Sequence, residues 1–175
     1  MFSRPSKESH EGTIHYEIRM LRHCADRIRT LTKSDPTPHE LTVHLECFLL
    51  HFRNLAQFLS GKGGSKGDLR ITNWKKWTDK QLTAAEVRQV TEVAIKAYEA
   101  YCGDISTYLS HCTRQRCEEE KSWEPQKMLG NIEPAIRAFE ALFPASQGRV
   151  WTVVSTTSDA VSTATIVDYG KRQPD

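Results

Sequence analysis

The chain has 175 residues, a size that suits one domain with its own core and leaves little room for a second. Hydrophobic residues make up 38% and charged residues 26%, the proportions of a globular protein, so a fibrous or disordered chain is excluded. The formal net charge of +2 is too small to imply nucleic acid by itself, and any such argument must rest on a local patch.

The stretch Met1 to Glu8 has no hydrophobic run of the secretory kind, and no run anywhere approaches the ~20 apolar residues of a membrane span. The expectation is a cytoplasmic protein without a membrane partner, whose thiols stay reduced. Cys24, Cys47, Cys102, Cys112 and Cys117 show no CxxC spacing and read as small, half-buried apolar residues.

Residues 1–11 read as a flexible N-terminus and 12–144 as the folded domain. Ile14, Ile18, Leu21, Ala25 and Ile28 recur at steps of three and four, one apolar stripe of a first helix that ends before Asp35-Pro36-Thr37-Pro38. Thr37 is a good N-cap, Pro38 suits the first helical position and Glu40 completes a capping box. The second helix then runs to about Ser60, with a wide apolar arc (Leu41, Leu45, Phe48, Leu49, Phe52, Leu55, Ala56, Leu59) that marks a central position.

Residues 61–68 are a glycine-rich loop. Thr83 to Glu86 forms a second capping box and opens a third helix with the stripe Val87, Val90, Ala94, Ala97, Tyr98 and Tyr101. Gly103 is expected to interrupt it, with Asp104 capping a further helix that carries Ile105, Tyr108, Leu109 and Cys112. A short helical turn after Pro125 and a last helix with Ile132, Ile136, Phe139 and Phe143 complete an all-α bundle of four to five helices. Residues 145–175, rich in Ser and Thr, read either as a mobile tail or as a marginal β-hairpin turning near Ser158-Asp159.

Polar residues inside the apolar periodicity are the candidates for chemistry, because a buried polar group is costly unless paired. On a wheel of 3.6 residues per turn, His44 and His51 border the second helix's arc beside Cys47 and Asn54, while Glu46 and Arg53 lie on the other side. His51 and Arg53, two positions apart, point away from each other. On the later helix, the spacing Ile105, Leu109, Cys112, Arg116 sends Arg116 along the buried face, where Glu46 is a candidate partner.

The patterns E-x-F-x-x-H-x-R-N-L-x-x-F-L and I-x-x-x-L-x-H-x-T-x-x-R resemble those of a bacterial family of small all-helical proteins with no assigned function. The matching positions are Glu46, Phe48, His51, Arg53, Asn54, Leu55, Phe58 and Leu59, then Ile105, Leu109, His111, Thr113 and Arg116, followed by Trp123. That family's bundle character is loosely similar to HEPN domains, which include metal-independent ribonucleases and inactive relatives. The resemblance implies a binding module whose partner is a second copy, a cognate protein or RNA.

Its alternative is an RNA-cleaving effector with a composite site of His51, Arg53, His111 and Arg116, in which a histidine moves protons and an arginine stabilises phosphate charge. HEPN nucleases separate an Arg from a following His by four to six intervening residues, and here only Arg4 and His10 have that spacing. Packing is the competing explanation, with Glu46, Asn54 and Thr113 in a polar network that buttresses the helices.

Lys62 to Lys80 carries six Lys or Arg against two Asp. Lys62, Lys66, Arg70, Lys75 and Lys76 would meet phosphates, and Trp74 and Trp77 would stack on unpaired bases. In the competing reading the tryptophans anchor the loop back on the bundle. Cys47 and His51 at i and i+4 lack a further ligand pair, so neither a metal nor another cofactor is expected.

Overall fold

Both capping boxes form, and they set where the helices begin. In the computed structural model, which describes residues 8–76, 81–110, 121–144, 150–157 and 160–167, the Thr37 hydroxyl accepts from the Glu40 amide while the Glu40 carboxylate accepts from the Thr37 amide. Thr83 and Glu86 repeat the arrangement. Four α-helices follow one another among the described residues: α1 (Glu8–Leu31), α2 (Pro38–Ser60), α3 (Ala84–Ile105) and α4 (Pro125–Leu142). The protein is an all-α bundle.

α2 packs against α1 and α3, α3 packs against α4, and α4 closes on α1. The wide arc of α2 explains its place: Phe48, Phe52, Leu55 and Leu59 are fully buried and face the other helices together. From α1 the core takes Ile18, Leu21 and Ala25, from α3 Val90, Ala94 and Ile105, and from α4 Ile132, Ile136 and Phe139.

Three boundaries differ from the periodic reading. α1 begins at Glu8, so Glu8–Glu11 belong to the bundle and not to a flexible N-terminus. α3 runs through Gly103, which is exposed between buried Cys102 and Ile105. A glycine costs a helix only about 1 kcal/mol, and core contacts on both sides outweigh that.

α4 is likewise one helix from Pro125 instead of a turn plus a helix. Its Pro134 stands on an exposed position, and buried Ile132, Ala135 and Ile136 hold the segment across the missing amide.

Beyond Ile105 the chain winds as a π-helical turn, Ser106–Ser110. The α-helical spacing that aligned Arg116 with Ile105 therefore ends at Ile105. A strand pair, β1 (Val150–Thr157) with β2 (Ala160–Val167), joins antiparallel in the register Val150 to Val167 and Thr157 to Ala160, the hairpin form of the C-terminal segment. Ser158 and Asp159, where the turn was placed, lie outside the described residues.

Candidate functional site

The polar border of α2 faces α1, and the two helices meet there in an antiparallel ladder. His51 Nδ1 lies 2.7 Å from Glu17 Oε2, and Asn54 Nδ2 donates to the same oxygen at 3.1 Å. A carboxylate can only accept, so Nδ1 carries the proton. The imidazole is 7% exposed, and the Tyr16 ring stands edge-on to it with centroids 5.7 Å apart. One turn further along α2, Cys47 faces Cys24, and His44, a turn beyond it, packs on His23. The wheel placed His44, Cys47, His51 and Asn54 on one border correctly. Their partners on α1 have no signal in the α1 pattern, where Glu17 reads as one more polar residue.

Arg53 points the other way. It bears electrostatically on Cys102 of α3 and on Asp68 of the following loop, which separates it from the His51 site. His51 and Arg53 therefore do not join in one compact site, as their spacing implied. Glu46 is exposed on the side of α2 away from this seam, as the wheel has it, and its candidate partner Arg116 lies outside the described residues. His111, Thr113 and Arg116 lie outside the described residues. Asn54 is the network member that the structure brings to His51.

The basic loop folds inward. Gly61, with φ of 70°, caps α2, and the Arg70 guanidinium donates to the carbonyls of Gly63, Gly64 and Ser65 at 2.6, 3.4 and 3.3 Å. Asp68 accepts from the Ser65 amide and hydroxyl, which holds its carboxyl below the usual range. Lys62 pairs with Glu99 at 2.6 Å, and Lys66 is exposed.

Trp74 is fully buried and meets Phe58, Phe139 and Phe143 at ring distances of 5.2, 6.0 and 5.4 Å. It cannot stack on a base; it is the anchor of the competing reading. Arg70 likewise spends its guanidinium on backbone carbonyls, not phosphates. The side chains of Lys75 and Lys76, and the whole of Trp77, lie outside the described residues.

Two further polar positions sit between α1 and α4. Arg22 reaches Glu133 and Glu140, each at 2.7 Å, and doubles both contacts in a fork; the two carboxylates raise its pKa. His15 hydrogen-bonds the Phe143 backbone, and its Nε2 has no hydrogen-bond partner among the described residues. Burial is the largest influence on His15 and lowers its pKa, against the Phe143 bond and Glu140.

A groove of about 230 Å³ opens where the start of α2 meets the π turn. It is lined by Leu45, Leu49 and Leu109, by the rings of Tyr108 and Trp123, and by Thr42, Glu46 and Lys121. Lys121 pairs with Asp104, and its ammonium lies 5.8 Å from the Tyr108 ring and 5.5 Å from that of Trp123. Val43 and Leu50, next in sequence to groove residues, are 63% and 46% exposed.

The π winding turns Tyr108 and Leu109 to the groove, a placement hidden from α-helical spacing. Among the described residues no group of His, Cys, Asp and Glu has metal-site geometry, and no helix is long and apolar enough to cross a membrane. Comparison with protein-family models, curated proteins and solved structures finds no match in any of the three.

Proposed function

We propose that the chain is a non-enzymatic interaction module of HEPN-like type, working in the cytosol, whose docking surface is the groove between α2 and the π turn. The observation that carries this reading is the groove's composition: leucines and two aromatic rings lined together with charged Glu46 and Lys121. Apolar patches rimmed by polar groups mark protein contacts, and π turns recur at functional positions of helices. The fitting partner is an amphipathic helix that presents apolar anchors at i, i+3 and i+4.

The runner-up, a metal-independent ribonuclease, needs His51 to reach a phosphate. Its imidazole is 7% exposed and its Nδ1–H is committed to Glu17. A histidine held this way serves packing better than proton transfer to a bulky substrate.

Selection of displayed helical peptides on the folded protein tests the reading, with Leu45→Glu as the comparison. Peptides that bind the wild type and lose at least tenfold in affinity against the variant, while both have the same circular dichroism, support it. Peptides indifferent to Leu45→Glu would overturn the groove. RNA cleavage that persists in EDTA and disappears in His51→Ala would overturn the non-enzymatic reading.

A further inference from the structure

The seam between α1 and α2 brings two free cysteines to facing positions. Tyr16 and Glu17 meet His51 at one point of the ladder, and His23 meets His44 further along it. Cys24 and Cys47 fall on the same ladder, and their thiols influence each other across the interface. Both are free, Cys24 at 1% exposure and Cys47 half-buried. A partly exposed cysteine facing a buried one is the arrangement of a sensing cysteine and its resolving partner.

We infer that Cys24 and Cys47 form a redox-responsive pair, in which a hydroperoxide oxidises Cys47 and Cys24 closes an intramolecular disulfide between α1 and α2. The Cys47 thiolate attacks one peroxide oxygen; an S–O bond forms, the O–O bond breaks, and the second oxygen leaves as hydroxide or alkoxide. The product is a sulfenic acid at Cys47. The Cys24 sulfur then attacks the Cys47 sulfur, the S–O bond breaks, and the Cys24 proton goes to the departing hydroxide to make water. With hydrogen peroxide the sum is two thiols and one peroxide to one disulfide and two waters, two electrons passing from sulfur to oxygen.

Burial, followed by the neighbouring Cys47, pushes the Cys24 thiol up to about 12. Cys24 therefore stays protonated until an electrophilic sulfur is generated beside it. The disulfide would pin the α1–α2 hairpin and restrict the unfolded chain.

The test treats the folded, reduced protein with equimolar hydrogen peroxide, blocks remaining thiols by alkylation in denaturant and maps the peptides by mass. The expected result is a link between the Cys24 and Cys47 peptides, a loss of about 2 Da for the bond, reversal by dithiothreitol, and a melting temperature raised by several degrees. With Cys24→Ser, or Cys24→Ala if the serine does not fold, dimedone should trap Cys47 as its sulfenic acid. With Cys47→Ser, Cys24 should remain fully alkylatable. Wild-type protein in which Cys24 stays alkylatable while Cys47 climbs to the sulfinic acid would overturn the pair. A disulfide joining either residue to another cysteine would overturn it as well.

Discussion

The α1–α2 seam and the loop from Gly61 to Lys76 both look chemically active in the sequence, one for polar residues among apolar ones, the other for basic residues among tryptophans. They resolve in opposite ways. In the seam, polar groups meet polar groups across a helix interface, as Glu17 does with His51 and Asn54. In the loop, the aromatic ring leaves the surface for the core and the arginine turns back onto its own backbone, Arg70 onto Gly63, Gly64 and Ser65. A buried side-chain polar group needs a partner from elsewhere in the chain, whereas a short loop can satisfy itself locally. The first kind of contact is invisible to spacing, and the second imitates an exposed binding strip.

The sharpest way to break this comparison is to remove the loop's anchor. Trp74→Ala should cost about 3–5 kcal/mol in urea unfolding, the range for a large buried aromatic. A loss below about 0.5 kcal/mol is what a surface residue gives, and would return Trp74 to the solvent and to nucleic acid.

The seam should respond less but cooperatively. His51→Ala should cost about 1–3 kcal/mol, because it leaves the Glu17 carboxylate short of a donor at the α1–α2 contact. A double-mutant cycle with Glu17→Ala should give a coupling of about 0.5–3 kcal/mol. Additive losses would mean that the two side chains do not act as a pair.

His15 adds a pH dependence at the α1–α4 contact. Its pKa in the fold lies below the 6.5 of the free side chain, so the unfolded chain binds the proton first. The contribution is fully present above that unfolded value of 6.5 and is lost as pH falls from there through the folded pKa. One such group changes stability by at most about 1.4 kcal/mol per pH unit. Chemical unfolding at a series of pH values should show that slope in the wild type and a shallower one in His15→Leu; equal slopes would remove His15 from the acid sensitivity.

The smallest effect belongs to the loop's surface. Lys62→Ala, which breaks an exposed pair with Glu99, should change stability by no more than about 0.5 kcal/mol. A larger loss would give the loop's charges a structural weight that Arg70 alone is assigned here.

Much of the fold is legible one helix at a time. The buried stripe of α1 is Ile14, Ile18, Leu21, Ala25 and Ile28 in the sequence and in the structure, and both capping boxes stand at Thr37 and Thr83. Such features depend on residues three or four apart, which one helix brings together whatever surrounds it. Breaks carry a weaker local signal. Gly103 and Pro134 weaken a helix locally, and packing on either side carries α3 and α4 through them.

For the candidate site, the sequence by itself determined which α2 residues share a border and that His51 and Arg53 diverge, because helix geometry alone decides both. Tertiary structure alone decided that Glu17 receives His51, that Cys24 faces Cys47, that Trp74 is core, and that the π turn brings Tyr108 and Leu109 to Leu45 and Leu49. Each of these joins residues far apart in the chain through helix register or a local change of winding. Neither leaves a mark in the spacing of a single helix.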